Sequence, residues 1–297
     1  MTFIRRLVKA IVVKILYYSG LPVLFREFIQ KKRVTIVFFH DPKVSVASRN
    51  FKWLSDHYNI ISLNQYLSAR EKGTTSQLPP KSMIITLDDG HIENYKLLSI
   101  VKDCSIAITI FLCSGIVNTN RHYWFKYSGL DSSSRALKVL PNHRRLKILS
   151  ESGFEQEKEF EYPQALNKNQ ILEMKEYVNF QAHTVFHPCL PHCSGAEAQF
   201  EIEQSKKQLE QDFGLTINAL AYPNGDYSAR DIQFVRNAGY SCALNGGPGF
   251  NTDKTDLFRL NRLAVRDREN IETLAIKASG IWSFLRHFLI TVHLLRK

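Results

Sequence analysis

Met83-Ile84-Ile85-Thr86-Leu87-Asp88-Asp89-Gly90 is an apolar, β-branched run that ends in two adjacent carboxylates and a glycine. A strand that stops there delivers both acids to the rim of a barrel or sheet. Val178-Asn179-Phe180-Gln181-Ala182 reads as a second buried strand. It ends at His183, with His187 four residues on and Pro188 closing the segment. One carboxylate and an H-x-x-x-H pair make a three-ligand metal set that leaves a coordination position for water. With two aspartates side by side, one can hold the metal while the other stays free as a general base. The outline is that of a hydrolase site.

The elements that must position these groups alternate. Val34-Thr35-Ile36-Val37-Phe38-Phe39 reads as a strand stopping at His40-Asp41-Pro42, and helical periodicity follows over 51–58 and 63–71. Beyond Gly90 the pattern gives a helix over 92–102, a strand over 106–112 and a polar insertion over about 118–169. A helix over 170–177 leads to the His183 strand and a long helix over 196–213. Ala219-Leu220-Ala221-Tyr222 then runs into Pro223-Asn224-Gly225, followed by a helix over 229–238 and a strand over 241–244. This alternation predicts an α/β fold, a (β/α) barrel with parallel strands inside and helices outside. His40, Asp88, Asp89, His183 and the Pro223 turn all follow a predicted strand, so such a barrel gathers them on one face.

The chain has 297 residues, 44% of them hydrophobic, enough for one such barrel with appendages. We expect a basic amphipathic segment over 1–33, a catalytic barrel over 34–270 and an amphipathic helix over 271–297. Lys9, Lys14 and Arg26 interrupt the N-terminal apolar run, and Arg286 and His293 the C-terminal one, so neither reads as a membrane span. Lys14 also breaks the pattern of a secretory signal, and no small-x-small site follows, so the N-terminus is expected to stay uncleaved. Five cysteines without framework spacing fit reduced thiols in a cytoplasmic protein.

The net charge of +11 is concentrated at the ends, where Arg5, Arg6, Lys9, Lys14, Lys31, Lys32 and Arg33 are opposed by Glu27 alone. On a helical wheel Ile4, Leu7, Val8, Ile11 and Ile15 share one face opposite Arg5, Arg6 and Lys9. Ile281, Leu285, Phe288, Val292 and Leu295 repeat the stripe at the C-terminus, with Trp282 and Phe284 beside it and Arg286, His293 and Lys297 opposite. Two readings stay open: helices lying on an anionic membrane, peripheral at the inner face of the cytoplasmic membrane, or helices packed on the barrel. Nucleic acid is not expected as a partner, since no recognition motif accompanies the charge.

Thr86-Leu87-Asp88-Asp89-Gly90, His183-Thr184-Val185-Phe186-His187-Pro188 and Ala221-Tyr222-Pro223-Asn224-Gly225, in this order, make the chain resemble the metal-dependent polysaccharide deacetylases. These are carbohydrate esterases that remove N-acetyl groups from amino-sugar glycans. The likeness extends from about Val34 to Val265. It implies a distorted (β/α) barrel of the polysaccharide deacetylase type with an inserted lid and amphipathic terminal helices, from a bacterial source and acting in envelope or exopolysaccharide synthesis. It implies that Asp89, His183 and His187 hold one divalent metal, zinc foremost, with cobalt, nickel, iron or manganese also compatible. Asp88 would be the base, the backbone N–H of Asn224 the oxyanion donor, and Thr184 a partner of the ligand loop. The substrate would be a glycan or a lipid-linked sugar.

Two departures stand out. The family's Arg-x-Pro-Tyr has Ala221 in place of its arginine and Asn224 in place of its tyrosine, which leaves Arg259 or Arg262 to orient the base. No histidine stands in the stretch from Leu260 to Val265 to donate a proton to the leaving amine, so His40 is the first candidate acid and His91 the second. The alternatives to deacetylation are deformylation of a lipid-linked amino sugar and a non-catalytic glycan-binding barrel. Tyr123-Trp124-Phe125 and Tyr127 either stack on sugar or pack as a lid, with packing preferred. Cys189-Leu190-Pro191-His192-Cys193 is expected to hold free thiols, not zinc.

Overall fold

The structure, a computed structural model, describes residues 3–127 and 134–285. Among the described residues eight strands form one parallel sheet: β1 (Thr35–Phe39), β2 (Asn59–Ile60), β3 (Ser82–Leu87), β4 (Ile108–Leu112), β5 (Val178–Ala182), β6 (Ala219–Ala221), β7 (Cys242–Leu244) and β8 (Leu263–Ala264). Their order is β7-β6-β5-β4-β3-β1-β8, with β2 beside β3. The sheet curls until its edges meet, because Leu260 pairs with Leu244 of β7 while Leu263 and Ala264 pair with β1. The helices are α1 (Phe3–Tyr18), α2 (Leu21–Leu24), α3 (Val44–His57), α4 (Leu63–Glu71), α5 (Leu98–Cys104), α6 (Ser134–Lys138), α7 (Asn142–Glu151), α8 (Lys168–Met174), α9 (Gly195–Phe213), α10 (Ala229–Asn237) and α11 (Ile271–Ala278).

Period-two alternation sorts the strand residues into two cores. Val37, Phe39, Ile85, Leu87, Ile110, Leu112, Phe180 and Ala182 face the helices. Ile36, Ile84, Phe111, Ala219, Ala221, Cys242 and Leu244 fill the inside, where small residues on β6 and β7 let the sheet close tightly. β5 and β6 share a single register pair, Ala182 with Leu220. There Gln181 takes over from the ladder, its Oε1 accepting from the N–H groups of Asn218 and Ala219. The expected helix over 92–102 forms in two parts, a 3₁₀ turn over Ile92–Leu97 and then α5. The reason is local, since residue 94 turns inward and Asn94 donates to the His40 carbonyl.

The amphipathic N-terminal helix seats in an unexpected way. Val13 is buried against Ile276 and Ile281, with Leu16 and Tyr17 beside it. The wheel's apolar stripe points away: Leu7, Val8, Ile11 and Ile15 are 49–63% exposed, and Val12, next to them, is 40% exposed. Packing and an open apolar face therefore coexist on one helix. Buried Gln30 fastens the segment, donating to Thr35 Oγ1 and the Ala278 carbonyl. The side chains of Ile4, Arg5, Arg6 and Lys9, and the C-terminal positions Arg286, Phe288, Val292, His293, Leu295 and Lys297, lie outside the described residues. Among the described residues no helix is long and apolar enough to cross a membrane.

Candidate active site

The ends of β1, β3, β5 and β6 and the segment entering β8 bring together the residues singled out from the sequence. Asp89 follows β3 with φ +75°, a left-handed conformation that aspartate tolerates better than most residues. Its Oδ1 lies 3.5 Å from His183 Nε2 and 3.4 Å from His187 Nε2. Both distances are long for a hydrogen bond, and this buried oxygen has no hydrogen-bond partner. They match the roughly 3.3 Å edge of a tetrahedron with ligand bonds of about 2.0–2.1 Å. Asp89, His183 and His187 are the group among the described residues whose donor atoms could hold a metal ion, and all three are buried. The residues present fit a divalent cation.

His183 and Asp89 are each oriented by a partner of their own, whereas the buried His187 Nδ1 has none among the described residues. A carbonyl can only accept, so the 2.7 Å contact between His183 Nδ1 and the Ala221 oxygen fixes the proton on Nδ1 and turns Nε2 toward Asp89. Ala221 thus serves through its backbone, although the family's arginine side chain is missing there. Lysine can only donate, so Lys126 Nζ, 3.1 Å from His91 Nδ1, fixes a proton on His91 Nε2. That proton meets Asp89 Oδ2 at 3.0 Å, leaving Oδ1 for an ion. Both ring nitrogens of His91 are engaged, which removes it as the acid for a leaving amine. His40 lines the same cavity, of about 560 Å³, with Asp89, His91, Phe125 and Lys126. Its backbone N–H donates to Asp267, and its ring packs edge-on against Phe38.

The charges are strongly coupled. Burial works against ionised Asp89, yet the imidazoles of His183, His91 and His187 outweigh it and hold the carboxyl well below its ordinary range. Burial drives His187 down to about 3, keeping it a neutral donor. Burial also opposes a charged His183, but Asp88 and Asp89 overcome this and raise its pKa.

Arg262 answers the question of the missing arginine. Its Nη1 and Nη2 grip Asp88 Oδ1 and Oδ2 at 2.7 and 3.0 Å, and its Nε donates to the Asn245 carbonyl. The guanidinium is 1% exposed and lies 4.3 Å from the Phe38 ring centroid. Burial raises the Asp88 pKa, but the charges of Arg262 and His183 prevail and keep it below the ordinary value. Arg259, the other candidate, is half-exposed and reaches only Asp256 at 3.7 Å.

Asn224 has φ +59° in the turn after β6, and its side-chain Nδ2 points to Cys189 Sγ at 3.5 Å. Gly225 lets this turn pass its neighbour, since a Cβ there would meet Gly246 Cα at 2.3 Å. Two aromatics of the insertion, Tyr123 and Trp124, brace the candidate ligands, while Phe125 lines the cavity. Tyr123 Oη donates to the Asp89 carbonyl and Trp124 Nε1 to the His187 carbonyl, both rings being buried. Trp124 with Leu137, Leu149, Phe154 and Cys189 forms a small separate core. Cys189 and Cys193 are free and buried.

Sequence reasoning missed Lys126 and Glu201. The latter, on α9, accepts the N–H groups of Val185 and Phe186 inside the H-x-x-x-H loop. Its signal was available: Ala198, Glu201, Ile202, Ser205 and Leu209 are buried at helical spacing, so a glutamate occupies the apolar face of an amphipathic helix.

Known proteins share this fold. A Bacillus subtilis protein, YxkH, whose name assigns it provisionally to the polysaccharide deacetylases, is 21% identical over 220 residues. The match takes in 73% of this chain and 62% of YxkH, less than two thirds of that protein's length. The solved Streptococcus pyogenes deacetylase PplD superposes with a TM-score of 0.61 at 19% identity, over 83% of this chain and 98% of that one. The deacetylase domain of BpsB from Bordetella bronchiseptica gives 0.57 at 16% identity, over 78% and 96%. The curled parallel sheet and its helices are thus the (β/α) barrel of those deacetylases. The polysaccharide deacetylase family model matches residues 75–243, which span both aspartates, both histidines and the Pro223 turn, and the chain belongs to that family.

Proposed function

We propose that this chain is a metal-dependent hydrolase that removes N-acetyl groups from an amino sugar in a glycan. The observation that carries the reading is Asp89 Oδ1 held unpartnered between two Nε2 atoms, beside an Asp88 clamped as the carboxylate. A divalent cation held by Asp89, His183 and His187 would supply Lewis-acid polarisation of the acyl carbonyl and a more acidic water. Asp88 takes the proton of the attacking water, and the Arg262 fork keeps that carboxylate ionised and aimed. The backbone N–H of Asn224 stabilises the tetrahedral oxyanion, and the left-handed turn around Gly225 presents it. His40 donates the proton that the departing amine needs. Arg262 also weighs against a non-catalytic barrel, because an arginine that orients the base is supplied from the segment entering β8.

Acetate release from N-acetylglucosamine oligomers tests this. Asp88→Asn should fold, retain zinc and lose activity by about 10²–10⁴-fold, the usual contribution of a positioned base. Activity that survives the substitution refutes the assignment of the base. Running N-formyl and N-acetyl substrates side by side separates deacetylation from deformylation.

The finer proposal is a membrane-proximal substrate, a lipid-linked or nascent glycan met at the inner face of the cytoplasmic membrane. Its support is the exposed row Leu7, Val8, Ile11, Val12 and Ile15, continued by Leu24 and Phe28 and followed by exposed Lys31, Lys32 and Arg33. Burying two isoleucines contributes roughly 3 kcal/mol or more. Ile11→Glu with Ile15→Glu should therefore lower co-sedimentation with phosphatidylglycerol vesicles at least about tenfold while leaving acetate release from soluble oligomers intact. Equal sedimentation removes the proposal.

A further inference from the structure

We infer that Glu201 is a positioning residue that sets the spacing of the two histidine ligands, so that metal affinity depends on a carboxylate that does not touch the metal. The inference rests on the metal-site reading above.

The loop between His183 and His187 makes a tight excursion, with Thr184 at φ +66° and His187 at φ +56°. Such conformations are costly for residues other than glycine and persist only where surrounding bonds over-determine them. On one side the carbonyls of Thr184 and Val185 accept from the N–H groups of Ser114 and Gly115, both at 3.0 Å. Gly115 allows this approach, since a Cβ there would lie 2.7 Å from Val185 Cγ1. On the other side a single atom, Glu201 Oε2, accepts the N–H groups of Val185 at 2.7 Å and Phe186 at 2.9 Å. Within the loop Thr184 Oγ1 accepts the His187 N–H at 3.2 Å. Glu201 thus holds the two amides that lie between the histidines, from a side chain 6% exposed on the buried face of α9.

The consequence is geometric. The two Nε2 atoms sit 3.5 and 3.4 Å from Asp89 Oδ1, and they come from opposite ends of this loop. Without a carboxylate oxygen at that place, the amides of Val185 and Phe186 share a weaker or more distant acceptor. The loop then relaxes toward ordinary dihedrals and the imidazoles move apart. A site loosened by about 1 Å still exists but no longer matches its ion.

Zinc binding by chelator competition on the full-length protein, alongside thermal unfolding of the chelated protein, tests this without recourse to turnover. Glu201→Gln keeps size and can set its one oxygen where Oε2 stands, but as a neutral and weaker acceptor, with an N–H₂ in place of Oε1. It should weaken zinc binding by about 10–100-fold, the range for groups that orient metal ligands. Glu201→Asp keeps the charge but withdraws it by one methylene, and it should fall in the same range; it also provides the readout if Glu201→Gln does not fold. Wild-type zinc affinity in a folded Glu201 variant overturns the inference, even if the chelated variant melts earlier, since that is the signature of a merely structural role. A wild-type protein that takes up no zinc overturns the metal-site reading instead.

Discussion

Arg262→Met should leave a folded but weakened protein whose turnover falls by about 10²–10⁴-fold, as much as removal of the base itself. The guanidinium gives Asp88 both of its strong hydrogen bonds and sits inside the barrel between Phe38 and Phe111. Methionine fills much of that volume but carries no charge, so Asp88 is left as an unpaired buried carboxylate. Breaking a buried pair from one side typically costs about 3–5 kcal/mol. Burial raises the Asp88 pKa, and without the guanidinium the charge of His183 is the main force still opposing it. The pKa of the base therefore rises, and the acid limb of the rate profile moves upward. Adding Asp88→Asn to Arg262→Met should restore part of the stability, because it removes the stranded charge. Urea unfolding of the single and double variants measures this. A double variant no more stable than Arg262→Met, or an Arg262→Met enzyme with unchanged kcat and pH profile, would show that the fork does not hold the base.

That pair also shows where sequence reasoning stopped. Asp88, Asp89, His183 and His187 were legible because each follows an apolar run that could only be a strand, and parallel strands share one catalytic rim. The same logic left two arginines three residues apart near β8, and nothing in their spacing chose between them. The choice came from packing: Arg262 points into a barrel with aromatic walls, while Arg259 lies on the outside against Asp256. The barrel's strands and the long α9 were read within a few residues. Its closure through Leu260 was not, since one bridging residue leaves no periodic trace.

The supporting layer was harder to see. Tyr123 and Trp124 were recognised as a cluster whose expected role was packing, yet their polar ends bond the backbone carbonyls of Asp89 and His187. Contacts with backbone carry no side-chain signature in the distant partner. Lys126 reaches His91 from the insertion for the same reason, so the inserted segment takes part in fixing the tautomer beside the metal ligand. At the N-terminus, periodicity identified the apolar stripe of α1 and left its direction open. Seating through Val13 needs one narrow contact, which a wheel built on the most apolar face overlooks.

Asp89→Asn is expected to abolish metal uptake while preserving the backbone, and it separates electrostatics from strain. Asparagine accepts φ +75° about as well as aspartate does, whereas alanine there would add conformational cost to the loss of the ligand. A neutral amide between two imidazoles is a poor third ligand, and zinc affinity should drop by more than about a hundredfold, beyond the range seen for supporting groups. The pH dependence of the chelated protein gives an independent reading. Asp89 has a folded pKa well below 3.8, so its stabilisation is fully present above 3.8 and is lost as pH falls through the folded value. His183 has a folded pKa above 6.5, so its stabilisation is present below 6.5 and is lost as pH rises through the folded value. These two contributions overlap between 3.8 and 6.5, while His187, pushed down to about 3, costs stability as pH falls below 6.5, so chelated wild type should be most stable near the upper limit. Asp89→Asn removes the first contribution and shrinks the second, because Asp89 is among the carboxylates that hold the His183 proton. Its stability profile should be flatter on both sides, measured by denaturant unfolding from pH 3 to 9. Zinc should flatten only the wild-type profile on its basic side, since the ion needs the neutral imidazole that higher pH supplies. An Asp89→Asn protein that takes up zinc as the wild type does, or that keeps the wild-type pH profile, would remove Asp89 from the centre of the site.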